Sequence, residues 1–94
     1  MESFRLEIKK TAFKNIRRYK EYREKIVELF KTLKNNPIPY KKFDIVKLKG
    51  YKQTYRIRLG KIRIIYQIDW IERRIIILVV AKRSKAYKQY NKTK

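Results

Sequence analysis

The residues best able to do chemistry in this chain are arginines, and they cluster in the stretch 54–68, TYRIRLGKIRIIYQI. Apolar and polar residues alternate there, pause at Gly60-Lys61 and alternate again, which predicts two antiparallel strands joined by a tight turn. A two-residue loop that begins with Gly suits a type II′ turn and places Arg58 directly opposite Arg63.

Like charges that face each other across two strands are destabilising, so the pair Arg58–Arg63 calls for an anion. Phosphate is the natural candidate, because a guanidinium fork matches its oxygens with two hydrogen bonds. The alternative is that these long side chains spread into solvent and have no role.

The same alternation divides the predicted hairpin into two faces. The apolar face carries Tyr55, Ile57, Leu59, Ile62, Ile64, Tyr66 and Ile68. The other face carries Arg56, Arg58, Arg63 and Gln67 around Ile65. We therefore expect the first face to be core and the second to be a basic surface.

A second basic group, Lys82-Arg83-Ser84-Lys85-Ala86-Tyr87, follows a run of branched apolar residues. If that run is the strand beside the hairpin, Arg83 and Tyr87 lie within reach of the arginine face. Guanidiniums that hold a backbone and a ring that stacks on an unpaired base would make an RNA site. The alternative is that Tyr87 packs into the core and Arg83 is a solvated strand end.

The charge balance indicates a polyanionic partner. The 94 residues include 28 Lys and Arg against 8 Asp and Glu, a net charge of +20. Nucleic acid is favoured over a membrane, since no stretch approaches the ~20 apolar residues of a membrane span and no signal-peptide pattern is visible. An acidic protein and an anionic membrane surface remain as alternatives.

Several kinds of catalytic site are excluded by composition. The chain has no Cys and no His, which rules out thiol nucleophiles, disulfides, Cys/His zinc sites and imidazole acid–base chemistry. No DxD-like or ExxE pair of acids falls in a strand or loop where it could hold Mg²⁺, and Glu21, Glu24 and Glu28, at helical spacing among basic residues, are better explained as solvated ion pairs. We therefore expect no metal or other cofactor. Any catalysis must come from Arg, Lys and Tyr.

The order of elements starts with a strand over 3–8, followed by a helix capped by Thr11. Apolar residues at helical spacing continue over 13–33, which fits one long helix or a helical hairpin that turns within 17–23. Pro37 ends the helical region.

The run Arg74–Ala81 is apolar on both faces, as in a strand at the centre of a sheet. We therefore place it between the hairpin and the N-terminal strand, with the helices covering one face. The predicted fold is a single α+β domain, 1–94. It has a small twisted antiparallel sheet of about four strands, the order β-α-α-β-β-β, and a short basic tail at 84–94.

The ordered set KLKG, YRIRLGKIRIIYQI, a branched apolar strand and KRSKAY resembles the RelE branch of the RelE/ParE toxin superfamily. The likeness covers nearly the whole chain. It implies a cytoplasmic toxin of a type II toxin–antitoxin pair that cuts mRNA in the ribosomal A site without a metal. It also implies a RelB-like antitoxin as partner, in a toxin–antitoxin heterotetramer.

The resemblance carries functional roles onto individual residues. The catalytic set that it implies is Arg58, Arg63, Arg83 and Tyr87. We assign RNA binding to Arg56, Lys82 and Lys85. Some RelE-type toxins have lysines where this chain has Arg56 and Arg58, and arginine effectively cannot lose a proton, so the identity of the general base stays open.

Three functions remain in competition. The first is the nuclease, in which a 2′-hydroxyl attacks the adjacent phosphate. The second is a non-nucleolytic, gyrase-inhibiting toxin of the ParE branch, which generally lacks this residue set. The third is an RNA-binding module that only grips phosphates.

Overall fold

A mixed α/β arrangement is seen in the computed structural model, which describes residues 3–92. Its elements in chain order are β1 (Arg5–Ile8), α1 (Lys10–Arg18), a 3₁₀ turn (Lys20–Tyr22), α2 (Arg23–Asn35), β2 (Asp44–Lys47), β3 (Thr54–Leu59), β4 (Ile62–Asp69), β5 (Arg74–Lys82) and α3 (Arg83–Lys92).

The sheet has five strands in the order β1-β5-β4-β3-β2. The central position predicted for the last strand is confirmed, since β5 lies between β1 and the β3–β4 hairpin. Two details of the predicted sheet are wrong. The short strand β2 adds a fifth member at the edge next to β3, and β1 runs parallel to β5, so the sheet is not wholly antiparallel.

The predicted hairpin register is confirmed in full. Leu59 pairs with Ile62 and Arg58 with Arg63, followed by Ile57 with Ile64 and Arg56 with Ile65. Gly60 has φ +56° and Lys61 keeps a negative φ, as a type II′ turn requires.

The first helical region forms the hairpin rather than one long helix. A 3₁₀ turn at Lys20–Tyr22 separates α1 from α2, within the predicted 17–23 segment. The predicted cap at Thr11 is wrong: α1 begins at Lys10, Lys9 takes the N-cap position, and no side chain caps the helix. Thr11 instead lies inside the first turn.

The helices cover both faces of the sheet, whereas the sequence predicted cover on one. On the first face α1 and α2 bury the apolar residues of the hairpin with Ile26, Leu29 and Leu33. On the second face the predicted tail forms helix α3, which packs Ala86 and Tyr90 over the middle of the sheet. The arginine face is therefore only partly open.

The hairpin tip touches the turn between α1 and α2. The Tyr22 hydroxyl accepts a hydrogen bond from the Lys61 backbone N–H at 2.9 Å. A Cβ added to Gly60 would lie 2.8 Å from that hydroxyl oxygen. Gly60 is thus required twice, by its backbone conformation and by its close neighbour.

We predict that Gly60→Ala lowers the free energy of unfolding by about 2–4 kcal/mol, because a left-handed alanine and a crowded Tyr22 both cost energy. Gly50→Ala is the matched control: Gly50 also has positive φ, +82°, but no atom lies within 4 Å of an added Cβ. It should lose only about 1–2 kcal/mol. Urea titration followed by circular dichroism measures both, and equal losses would contradict the role of Tyr22.

Candidate functional site

The arginine face is built by one row of residues that crosses four strands. Asp44 of β2 pairs with Arg58 of β3, Arg58 pairs with Arg63 of β4, and Arg63 pairs with Ala81 of β5. Paired residues on adjacent strands share a face of the sheet, so all four side chains leave it on the same side. Ala81 is small, which leaves space above it for the long side chain of Arg63.

Arg63 is the buried member of the row, with 6% of its surface exposed. Its Nη1 donates to the carbonyl oxygen of Gly60 at 3.0 Å and to that of Ile62 at 3.1 Å. Arg63 therefore folds back over the turn that precedes it. This anchoring fixes its position and leaves its other guanidinium nitrogens for a further partner.

The guanidiniums of four arginines come together at this place. Burial lowers the pKa of Arg63 from its ordinary value, and the nearby charges of Arg56, Arg58 and Arg83 lower the pKa further. The backbone places the four residues near one another: Arg58 pairs with Arg63, Arg56 lies two residues before Arg58 on the same face, and the Arg83 N–H donates to the Lys61 carbonyl oxygen at 3.4 Å. We call Arg56, Arg58, Arg63 and Arg83 the arginine cluster.

One carboxylate lies inside the arginine cluster. Asp44 Oδ1 lies 3.5 Å from Arg56 Nη2, and Asp44 Oδ2 lies 3.2 Å from Arg58 Nε. Sequence reasoning missed this residue because β2 is only four residues long and shows no extended alternation. A signal was present nonetheless: Asp44 is the sole acid of the sequence between Glu28 and Asp69.

Arg56 retains hydrogen-bonding capacity. Its side chain is 17% exposed, and its Nε is buried without a hydrogen-bond partner among the residues described. A buried donor without an acceptor is costly, so an acceptor that arrived with a ligand would be favoured.

Helix α3 brings Arg83 and Tyr87 to the edge of the arginine cluster. The two residues are four apart and so lie on one side of the helix, next to the buried Ala86. Tyr87 is 45% exposed, so its ring is not packed into the core. An exposed ring one helical turn after Arg83 is free to stack on a base.

Polar contacts hold α3 in place at its far end. The ring of Tyr51 meets that of Tyr90 edge-on, and the Tyr51 hydroxyl donates to Asn91 Oδ1 at 3.2 Å. On another side, Asn15 Nδ2 of α1 donates to Gln89 Oε1 at 3.0 Å. These contacts fix the orientation of the helix that carries Tyr87.

The two predicted lysines of the site are placed differently from the arginines. Lys82 pairs with Ile62, whose side chain is in the core on the first face, so strand alternation sets Lys82 on the opposite face from Arg63. Lys85 is exposed on the first turn of α3. The structure thus brings the four arginines together and sets Tyr87 one helical turn after Arg83, while Lys82 is separated from the cluster.

Metal ligands do not assemble anywhere in the described part of the chain: within 3–92, no three acidic side chains lie together in a way that could hold an ion. Over the same residues, no helix is both long enough and apolar enough to cross a bilayer. What the arginine cluster offers is dense positive charge with directed N–H donors, a combination that stabilises a phosphate whose charge increases during reaction.

We predict that Arg63→Ala lowers the free energy of unfolding by about 1–3 kcal/mol, because the turn carbonyls lose their donor and a gap opens above Ala81. Relief of repulsion in the cluster offsets part of this loss. Arg58→Ala, which removes a half-exposed side chain paired only with Asp44 at the surface, should change stability by less than about 1 kcal/mol. Chemical denaturation compares the two variants, and an unchanged Arg63→Ala protein would contradict the anchoring of Arg63.

Comparison with known proteins gives consistent matches. Residues 4–87 match the family model described as the ParE toxin of the type II toxin–antitoxin system parDE. A protein of Methanocaldococcus jannaschii named "Putative toxin RelE1" is 44% identical over 86 residues, which cover 90% of this chain and 96% of that protein.

Solved structures show the same fold in RelE toxins. The archaeal RelE–RelB complex of Pyrococcus horikoshii OT3 contains a chain with 34% identity and a TM-score of 0.78, matched over 88% of this chain and 98% of that one. The RelB–RelE complex of Methanococcus jannaschii gives 28% identity and a TM-score of 0.74, over 89% and 98%. The family match and the RelE relatives agree with the resemblance inferred from the arginine hairpin: this chain belongs to the RelE/ParE family of toxins of type II toxin–antitoxin systems.

Proposed function

We propose that the protein is a ribosome-dependent, metal-independent mRNA endonuclease of the RelE type. The observation that supports this most strongly is geometric: Arg58 pairs with Arg63 across the hairpin, Arg56 and Arg58 share the carboxylate of Asp44, and Arg83 begins its helix against the hairpin turn. Holding these like charges together costs energy, which favours a site that receives a phosphate. The RelE names of the relatives agree with this proposal.

The reaction is an attack by an RNA 2′-hydroxyl on the adjacent phosphorus. The new O2′–P bond gives a 2′,3′-cyclic phosphate, and the bond from phosphorus to the 5′-oxygen of the next nucleotide breaks. Nucleophile and phosphate belong to one strand, so the main requirement is an in-line pose and compensation of the charge on the phosphorane. Arg58, Arg63 and Arg83 provide that compensation, and Arg56 holds a neighbouring phosphate.

Arg58 and Arg83 are the arginines that contact the scissile phosphate directly, since both are exposed. Arg63 is largely buried, so it stabilises the phosphate charge from inside the site, with the guanidinium nitrogens that do not bind the turn carbonyls. Tyr87 stacks on the base next to the cut and aligns the attack, or removes the proton from the 2′-hydroxyl. Lys85, exposed on the first turn of α3, contributes a contact to RNA near this centre, whereas Lys82 points to the other face and has no part in it.

The ribosome supplies the pose that the protein lacks. Because the chain has no histidine to serve as a strong general base, the reaction depends on RNA that is already held in the in-line pose. The net charge of +20 gives affinity for ribosomal RNA. We propose the cytoplasm as the location and a RelB-like antitoxin as the partner, in a heterotetramer. The Pyrococcus horikoshii and Methanococcus jannaschii relatives were solved as complexes of RelE with RelB.

A non-nucleolytic toxin of the ParE branch is the second candidate, because the family model that matches carries the ParE description. A plain RNA-binding module is the third, favoured by the net charge alone. The ParE-like toxin would stop growth without cutting mRNA. The binding module would retain RNA but give no cut product, with or without ribosomes.

We predict that Arg58→Ala reduces mRNA cleavage on programmed ribosomes by about 10²–10³-fold, the loss typical of removing one donor to a developing negative charge. The matched control is Arg5→Ala, which removes the same side chain from the exposed surface of β1 at the opposite edge of the sheet. Primer extension across the message maps and quantifies the cut. Full cleavage by Arg58→Ala would place the site elsewhere, and the absence of cleavage by the wild-type protein would favour the second or third candidate.

We further predict that Tyr87→Phe keeps cleavage within about tenfold of wild type, because a phenyl ring still stacks, and that Tyr87→Ala loses about 1–3 kcal/mol of stacking. Single-turnover rates on programmed ribosomes separate these variants. If Tyr87→Phe is as inactive as Tyr87→Ala, the hydroxyl and not the ring is what the reaction needs.

A further inference from the structure

The carboxylate of Asp44 occupies the arginine cluster in the way an anionic ligand would. One of its oxygens faces Arg56 and the other faces Arg58, at 3.5 Å and 3.2 Å. Its charge also reaches Arg63, where it partly offsets the effects that lower the pKa. Two oxygens of one anion are thus shared between two guanidiniums, as two oxygens of a phosphate would be.

The ion pair between Asp44 and Arg58 is weak enough to be exchanged for another partner. Asp44 and Arg58 are 48% and 54% exposed, and exposed ion pairs of this kind contribute only about 0–1 kcal/mol. Asp44 also lies on β2, the strand at the outer edge of the sheet. A carboxylate held this weakly can turn into solvent without disturbing the core.

The charge balance of the cluster points the same way. Four guanidiniums and one carboxylate leave a local excess of positive charge, so Asp44 reduces the repulsion in the free protein without cancelling it. A phosphate that enters beside Arg58 meets the carboxylate at close range, and two negative charges at that distance repel.

We propose that Asp44 is an internal competitor for the RNA phosphate: it holds Arg56 and Arg58 while the site is empty and gives them up when a phosphate binds. The placement of the phosphate rests on the function proposed above. Asp44 takes no part in the chemical step. It lowers the affinity of the arginine cluster for RNA, and it reduces the repulsion among the arginines while no RNA is bound.

The test measures binding of an RNA oligonucleotide with 2′-O-methyl groups, which cannot be cut. Asp44→Asn keeps the shape of the side chain and removes its charge. It should bind this RNA about two- to fivefold more tightly at low salt, because Arg56 and Arg58 no longer have to give up an exposed ion pair, which is worth about 0–1 kcal/mol. The gain should shrink as salt increases, because the charges are exposed. Fluorescence anisotropy gives the Kd values.

The matched control is Glu28→Gln. Glu28 lies on α2 and forms an exposed ion pair with Lys42, so this variant also removes one negative charge. It changes the net charge by the same amount but lies outside the arginine cluster, so its Kd should stay close to the wild-type value. Circular dichroism and thermal melting establish that each variant is folded. Asp44→Ser serves as a second charge-removing variant at the same position.

A double-mutant cycle locates the effect. In a protein that already carries Arg56→Ala and Arg58→Ala, the further change Asp44→Asn should give no gain in affinity, because the groups for which it competes are absent. A gain that persists there, or a gain equal to that of Glu28→Gln, would overturn the proposal. Weaker binding by Asp44→Asn would overturn it as well and would make Asp44 a residue that positions the arginines.

These outcomes are independent of catalysis, since the oligonucleotide is never cleaved. If the wild-type protein fails to cut mRNA but Asp44→Asn shows the selective gain, the nuclease proposal fails and the competitor proposal stands. If cleavage occurs and the gain is missing, the reverse holds.

Discussion

Repulsion between guanidiniums is the constraint on which the site depends. Arg58 and Arg63 face each other across the hairpin, and Arg56 and Arg83 bring further positive charge to the same place. Four positively charged guanidiniums do not attract one another, so the fold must hold them close together. The β3–β4 register fixes the backbone positions, the turn carbonyls hold Arg63, and the carboxylate of Asp44 tempers what repulsion remains.

The protein tolerates the repulsion among its arginines because the two faces of the sheet have different roles. On the first face, α1 and α2 cover a continuous apolar core that includes Ile57, Ile64 and Tyr66. The second face carries a smaller apolar cluster beneath α3, and the arginines lie beside it. Stability comes mainly from the first face, so the second can carry charges that do not stabilise the fold.

Local patterns predicted most of the fold. Strict alternation and a Gly that can enter the left-handed region fixed the hairpin register, and an apolar run on both faces placed β5 at the centre. The features that were missed depend on distant partners. The strand β2 is four residues long and exists because β3 offers it an edge, and the parallel direction of β1 follows from the path of the whole chain.

The helix α3 was harder to foresee for a related reason. Its sequence is mostly polar, and only Ala86 and Tyr90 mark the side that packs on the sheet. The chemistry of the site was partly visible in the sequence: the arginines stand out by type and spacing, whereas Asp44 gains its meaning only when β2 pairs with β3. Its isolation among basic residues sets Asp44 apart in the sequence, but the arginines that it would face cannot be read from that isolation.

The contact between Tyr22 and the hairpin tip joins the helical layer to the arginines. The Tyr22 hydroxyl meets the backbone of Lys61, next to the turn on which Arg63 rests. A change in the α1–α2 connection would therefore move the hairpin turn, and with it the carbonyl oxygens that hold the Arg63 side chain. A substitution at Tyr22, about forty positions before the turn, would therefore be felt at Arg63 through the backbone of the hairpin.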